Sequence, residues 1–300
     1  NDIIHGPSPE KLRSILEELG PTYVKIGQIM SMRSDVLPSG YCQELMKLRA
    51  DVKPIPFEEI KAVIYGEFGK RAEDLFESIE EEPLGSASIA QVHAVTLHDG
   101  RKAVVKVQRP GIFAVMQQDI KLLGKAVKLI RKMELSGDVI DFNKVLDEMW
   151  NVAQEEMNFQ LEADNCTRIT ALNENVKYVA FPEIVEELTT SRILTMEYIE
   201  GIPVDEIEQL EKHGYDLNEI GLKLASNYIK QILKDGFFHA DPHPGNIWIR
   251  EGKIIWLDLG MVGHLKEKDR ILFKKGVQAI VDKDVFEVKN VLLQLGKVKG

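Results

Sequence analysis

A chain of 300 residues with 44% apolar and 29% charged residues has the material for one large domain or two lobes, each with its own core. Its net charge of −10, without a long basic tract, argues against a nucleic-acid scaffold, because phosphate binding needs clustered Lys and Arg. No apolar run approaches the roughly 18 residues of a membrane span, no signal peptide precedes the first element, and the cysteines Cys42 and Cys166 lie far apart, so free thiols in a reducing compartment are the default over one disulfide.

In chain order, residues 9–19 read as a helix, with Ser8 as N-cap, Pro9 at the first helical position and Gly20 as the stop. Tyr23–Met32 reads as helix broken by Gly27, and Gly40–Leu48 and Phe57–Tyr65 as two more, so the first 80 residues form a helical extension. Glu80-Glu81-Glu82 reads as a solvated linker. Ser88–Thr96 and Lys102–Gln108 are rich in β-branched residues, and Asp99-Gly100 between them is a hairpin signal. Ile112–Met133 and Phe142–Asn173 return to helical spacing, the second as one long stretch. Ile184–Glu187 and Arg192–Ile199 read as strands, Asn218–Lys234 as a helix, and the chain from Lys266 onward as helix again. These spans divide into an extension (1–80), a lobe with an inserted helix (81–199) and a second, partial lobe (200–300); the ends read as those of a piece of a longer protein.

The densest chemistry lies in His239-Ala240-Asp241-Pro242-His243-Pro244-Gly245-Asn246 and in Asp258-Leu259-Gly260. Two apolar runs, Ile247-Trp248-Ile249 and Ile254-Ile255-Trp256-Leu257, flank Arg250-Glu251-Gly252-Lys253, which reads as a hairpin turn holding Asn246 and Asp258 side by side at one mouth. Protein kinases use these side-chain types in this order: Asp orients or deprotonates the acceptor, and Asn and the Asp before Gly hold Mg²⁺. Lys106, at the end of Ala103-Val104-Val105-Lys106, fits the strand lysine that binds phosphate, or else is a surface lysine. Glu155, Glu156 and Glu162 are candidates for the carboxylate that positions it. Leu84-Gly85-Ser86-Ala87-Ser88 stands where a glycine-rich loop covers the phosphates, with one glycine where three are usual, so the loop is stiffer. His239, Asp241 and His243 alternate and could form a metal triad, but no fourth ligand accompanies them, and His243 reads as a brace for the loop. Met196-Glu197-Tyr198-Ile199 reads as the hinge whose backbone meets adenine. Trp150, Trp248 and Trp256 read as core, and His93 as a strand histidine with a backbone partner.

Lys25-Ile26-Gly27-Gln28 with the following Ser31-Met32-Arg33-Ser34-Asp35-Val36-Leu37-Pro38, the loop Ser86–His93, Val107-Gln108-Arg109-Pro110-Gly111 and the 239–246 segment together resemble the UbiB family of atypical kinase-like proteins, the aarF-domain kinases, over roughly residues 15–265. The resemblance implies an α+β, two-lobed protein-kinase-like fold with an N-terminal helical extension and a truncated second lobe. It implies that Lys106 contacts the phosphates and pairs with Glu162, that Gly85, Ser86, Ala87, Ser88, Glu197 and Ile199 line the ATP or ADP site, that Asn246 and Asp258 hold Mg²⁺, and that Asp241 stands in the catalytic-base position. Lys25, Gln28, Glu156 and Asn158 would gate substrate access in place of a peptide groove.

The implied activity is an ATPase or small-molecule kinase in isoprenoid-quinone or lipid metabolism. The alternative is a nucleotide-binding, lipid-sensing regulator with little turnover, and a protein kinase stands third. An adenine nucleotide and a small lipophilic ligand are the implied partners, with membrane association at the cytoplasmic face of the full-length parent. One departure stands out. The family's Glu-x-Asp reads Glu156-Met157-Asn158 here, which removes a carboxylate that would face Lys25. Residues 156 and 158 would also point roughly 200° apart on a straight helix, so either the helix is distorted or the two serve different partners.

Overall fold

Ser8 caps the first helix through its hydroxyl, which accepts the Lys11 amide at 3.3 Å, and Pro9 occupies the first turn where its missing N–H costs nothing. In this computed structural model the chain is described over residues 8–31, 37–48, 52–133 and 142–297, so the Met32–Val36 part of the motif after Gln28 lies outside the described residues. The helices are α1 (Pro9–Leu19), α2 (Pro21–Ser31), α3 (Ser39–Leu45), α4 (Phe57–Phe68) and α5 (Ala72–Leu75). Next come strands β1 (Ser78–Ile79), β2 (Gly85–Ser86), β3 (Ala90–Thr96) and β4 (Lys102–Gln108), then helices α6 (Ile112–Met133), α7 (Phe142–Glu156) and α8 (Phe159–Leu172). After β5 (Val179–Ala180), β6 (Ile193–Glu197) and β7 (Ile202–Pro203) the chain forms α9 (Ile207–Lys212) and α10 (Leu217–Ile229). It ends with β8 (Phe237–His239), β9 (Ile247–Arg250), β10 (Lys253–Trp256), β11 (Val262–His264), α11 (Glu267–Val281) and α12 (Val285–Lys297).

The chain divides into two compact units, Asn1–Leu161 with Val185–Tyr198, and Glu162–Ile184 with Ile199–Gly300. In the first, an antiparallel sheet runs β1-β3-β4-β6, with β2 also on β3. Alternate residues of β4, among them Val105 and Val107, bury against Ile60 and Ile64 of α4 and Phe76, as a half-covered sheet requires. A smaller cluster of Val24, Leu45 and Leu48 joins α1, α2 and α3. Gly27 belongs to that cluster. It sits inside an unbroken α2, and a Cβ there would run into Leu48 and Leu16, so the glycine permits close helix packing and does not interrupt the helix. In the second unit, β5-β10-β9-β7 form a sheet and β8 pairs with β11, around Ile169, Leu210, Phe237 and Trp256.

Three further expectations change. The stretch 142–173 is two helices: α7 stops at Glu156 and α8 restarts at Phe159, with Met157 and Asn158 in the break. Only the second of the two expected strands around 184–199 forms, because Glu186–Leu188 close a 3₁₀ turn. Trp256 is fully buried, but Trp150 and Trp248 are half-exposed; Trp150 meets Phe113 edge-on at 5.2 Å. Cys42 and Cys166 are free thiols. Among the described residues, no helix is long and apolar enough to cross a membrane.

Candidate functional site

In the first unit, β4 carries Lys106 opposite Val92 of β3 and Leu194 of β6, so it is held from both sides of the sheet. Its Nζ lies 4.9 Å from the centroid of the Phe159 ring, a cation–π contact. The loop ahead of it is partly strand: Gly85 and Ser86 pair with Val92 and Gln91. The Ala87 amide donates to the Ala90 carbonyl at 2.8 Å, and Ser88 is buried. The last residue of β6, Glu197, pairs with Ala103, and the Tyr198 amide donates to the Lys102 carbonyl at 3.2 Å. The division between the units falls after Tyr198, at the buried Ile199.

The helical extension is part of the same unit. Lys25 of α2 forms an ion pair with Glu156 of α7 at 2.6 Å, both side chains largely buried. Gln28 donates through Nε2 to the Leu48 carbonyl at 3.1 Å. Nearby, burial raises the Tyr23 phenol above its usual range, with the Asp119 charge adding to it. Asn158 stands apart from the Lys25 pair. Its Oδ1 accepts the Gln160 amide at 3.3 Å, so Asn158 is the N-cap of α8. Both sides of the alternative hold for residues 156 and 158: the helix breaks between them, so Glu156 ends one helix on Lys25 and Asn158 starts the next.

In the second unit, the β9–β10 hairpin sets Asn246 against Asp258. Ile247 pairs with Trp256, and one residue further the Leu257 amide donates to the Asn246 carbonyl at 2.8 Å, which leaves Asp258 adjacent. The turn is Glu251-Gly252, both at positive φ (51° and 75°), as a two-residue hairpin turn requires. Asn246 donates through Nδ2 to the Asp241 carbonyl at 3.2 Å. A carbonyl accepts only from the NH₂ end, so the amide is oriented and its oxygen points elsewhere. Asp258 adopts φ 51°, the left-handed region that few residues other than Gly enter, and its Oδ1 accepts the Gly260 amide at 3.3 Å. Glu162 of α8, 6% exposed, belongs to the same corner: its Oε2 would lie 3.7 Å from a Cβ placed on Gly260. One turn along, burial first and then the Glu162 charge push the Cys166 thiol up to about 12.

Asp241 is exposed, and its backbone is what the fold holds. Its amide donates to His239 Nδ1 at 3.1 Å, and its carbonyl accepts the His243 amide at 2.7 Å. His243 braces the loop as expected, its Nδ1 accepting the Gly245 amide at 3.0 Å. His239 is fully buried with both ring nitrogens engaged, since Nε2 also reaches the Leu257 carbonyl at 2.8 Å. That removes it from a metal triad, and among the described residues no group of three His, Cys, Asp or Glu could hold a metal ion. Asn246 and Asp258 could hold a metal in a different way, as a pair of hard oxygen donors of the type that suits Mg²⁺.

Behind the loop stands a buried polar line that sequence reasoning missed. After α10 the helix widens into a π-turn over Lys230–Asp235. Gln231 there accepts the His239 amide at 3.1 Å and donates to Asn227 at 2.8 Å, and Asn227 Oδ1 also accepts the Trp256 indole N–H at 3.0 Å. Asn227 donates in turn to Asn173 at 2.9 Å. Asn227 and Gln231 lie four residues apart amid apolar neighbours, and polar residues at core spacing were the available signal.

Residues 47–292 match the model of the ABC1 atypical kinase-like domain. The chain is 41% identical over 293 residues to an uncharacterized protein from the hydrogenase 1 5′ region of Clostridium pasteurianum, covering 98% of this chain and 55% of that protein. It is 36% identical over 294 residues to a probable protein kinase UbiB of Marinobacter nauticus, covering 96% and 54%. The chain thus spans about half the length of these relatives. Among solved structures it is similar to Rv3197 of Mycobacterium tuberculosis, determined as an erythromycin complex, with a TM-score of 0.66 and 26% identity over 93% of this chain and 70% of that one.

Proposed function

Because the chain belongs to the ABC1 atypical kinase-like family, with its kinase-like α+β fold, we propose that it binds Mg²⁺ with ATP or ADP and carries out phosphoryl transfer or ATP hydrolysis. The observation that carries this reading is the Asn246–Asp258 corner. Two hard oxygen donors stand at one end of a hairpin, one with its amide oriented by the Asp241 carbonyl, the other in a strained left-handed conformation. Bound Mg²⁺ would neutralise phosphate charge there. Lys106 takes the phosphate-binding role and Glu162 the carboxylate role that the family pattern assigns. Asp241, exposed and held by its backbone, is free to orient an acceptor and receive its proton.

The acceptor in this reading is water or a small lipophilic molecule of the isoprenoid-quinone or lipid class, used near a membrane surface. What supports it is the sequence resemblance, together with an extension whose Lys25 and Gln28 are tied to Glu156 and the Leu48 carbonyl. Calorimetric binding of Mg-ATP and Mg-ADP, with phosphate release measured with and without lipid vesicles and phenolic quinone precursors, tests the proposal. Asp258→Asn should lose Mg²⁺-dependent binding and release. Release identical in wild type and variant under every condition removes the catalytic reading, and Mg²⁺-dependent binding without release leaves the nucleotide-sensing role.

A further inference from the structure

The residue after β4, Arg109, has no role in the reading above, yet its side chain makes three hydrogen bonds. Its Nε donates to the Ala87 carbonyl at 2.8 Å, and its Nη2 donates to the Ser86 hydroxyl at 2.7 Å and to the Lys53 carbonyl at 3.0 Å. Its backbone amide adds a fourth bond, to the Ile89 carbonyl at 2.8 Å. Two of the side-chain acceptors belong to the small-residue loop. The third belongs to the segment of the helical extension that precedes α4.

That segment lies along the loop. The Val52 amide donates to the Ser86 carbonyl at 3.2 Å, and the Ile55 amide donates to Gln91 Oε1 at 3.0 Å. Gln91, 1% exposed, also donates to the Ile55 carbonyl at 3.4 Å. On the other side of residues 49–51, Leu48 receives Gln28. The loop therefore has a fixed backing, and Leu48, four residues before Val52 in the chain, is hydrogen-bonded to the Lys25-Ile26-Gly27-Gln28 helix.

We infer that Arg109 is a specificity-determining positioning residue: its planar fork fixes the 86–89 backbone in one conformation and couples it to the 52–55 segment of the helical extension, and so sets how the loop distinguishes nucleoside diphosphates from triphosphates. The inference rests on the nucleotide-binding reading above. A guanidinium satisfies three acceptors in fixed directions, which an ammonium on a flexible stem does not. With a single glycine in Gly85-Ser86-Ala87-Ser88, the loop has little conformational freedom of its own, and the clamp removes what is left. The low glycine count and the clamp act in the same direction.

The test uses Arg109→Lys, which keeps the charge and loses the fork, and the milder Ser86→Ala, which removes one acceptor and keeps the proposal testable if Arg109→Lys fails to fold. Mg-ADP and Mg-ATP affinities are measured by calorimetry, alongside amide hydrogen exchange of peptides covering 52–55 and 86–90. Loss of charge-assisted bonds should change the ADP-to-ATP affinity ratio by about tenfold in Arg109→Lys and less in Ser86→Ala. Exchange should rise in both segments together while β3 and β4 stay protected. A wild type that binds neither nucleotide removes the nucleotide reading and this role with it. Normal wild-type binding with an unchanged ratio in the folded variants, or exchange that rises in one segment and not the other, overturns the clamp alone.

Discussion

The Nδ1 of His239 accepts the Asp241 amide at 3.1 Å, while Nε2 of the same buried ring meets the Leu257 carbonyl at 2.8 Å. An amide donor at one nitrogen and a carbonyl acceptor at the other fix the tautomer with the proton on Nε2. One ring thus joins the segment bearing Asp241 to the residue before Asp258. Tyr228 adds a third tie through its hydroxyl, which donates to the His239 carbonyl at 3.1 Å; burial raises that phenol above its usual range, and the Asp241 charge adds to it.

His239→Phe should keep the ring volume and strip both bonds. Each buried group left unpaired costs about 1–3 kcal/mol. Urea unfolding should show a loss of that order, and phosphate release should fall more than binding of Mg-nucleotide. Unchanged turnover in the folded variant would remove His239 from the positioning of Asp241.

Asn158 gives a second test, because its role differs from the expected one. As the N-cap of α8, accepting from Gln160, it should tolerate Asn158→Asp with little change or a slight gain from negative charge at a helix start. Asn158→Ala should cost about 1 kcal/mol in denaturant unfolding. An Asp variant that alters turnover while stability holds would return the residue to the neighbourhood of Lys25.

Much of this was legible in the sequence, for identifiable reasons. Asp99-Gly100 and Glu251-Gly252 mark their hairpins through local turn chemistry, and Ser8 and Pro9 mark a helix start. The helix break at Met157-Asn158 was not legible, because neither residue is a strong breaker and the apolar spacing continues across it. Gly27 differs from a helix breaker for a reason that is not local. Its lack of a side chain matters to Leu16 and Leu48, contacts distant in sequence that local pattern does not carry. For the candidate site, residue types and spacing pointed to Lys106, Asp241, Asn246 and Asp258. The supports behind them, His239 with Gln231 and Asn227 at the Asp241 loop and Arg109 at the 86–89 loop, are defined by hydrogen bonds between separate elements, of which the four-residue spacing of Asn227 and Gln231 was the one trace in the sequence.

Gly260→Ala probes the Asp258 corner. A Cβ there would sit 3.2 Å from Asp258 Oδ1, tighter than ordinary van der Waals contact, and 3.7 Å from Glu162 Oε2. The Asp258 carboxylate would have to give way. Mg-nucleotide affinity should fall about tenfold, the scale of one charge-assisted contact, with the melting temperature little changed. Calorimetry on wild type and variant decides it, and equal affinities would show that the carboxylate position is not critical.

Stability should depend on pH through His93. Its Nδ1 meets the Glu80 carbonyl at 2.8 Å and its Nε2 faces the Gln91 amide at 3.0 Å, and burial lowers its pKa. The unfolded chain then binds more protons than the folded one below about pH 6.5, so this stability is complete above that value and is lost as pH falls toward the lower folded pKa. The slope from one such histidine is at most about 1.4 kcal/mol per pH unit. His264, lowered by burial and then by the Arg168 charge, adds in the same direction but is exposed and better screened. His93→Gln should flatten the acid-side slope in urea unfolding between pH 7.5 and pH 5.5; an unchanged slope would assign it to other groups.

Lys25 and Glu156, 2.6 Å apart with 17% and 12% side-chain exposure, form a pair in which removing one partner should hurt more than replacing both. Lys25→Met should cost about 3 kcal/mol by leaving a carboxylate uncompensated, and Lys25→Met with Glu156→Leu should recover part of it. Mg-nucleotide binding should persist in both while turnover changes. Lost binding would make Lys25 a member of the nucleotide site itself.

The β9–β10 register also governs how this stretch tolerates changes in length. Arg250 faces Lys253 across the turn and Ile247 faces Trp256 at the open end. A residue added to one arm would slide it by about 3.4 Å and reverse which side chains face the core. A matched pair added at the tip would lengthen both arms and leave the base undisturbed. Single insertions within either arm should therefore be rejected and insertions at Glu251-Gly252 accepted, and an engineered tag belongs at the tip.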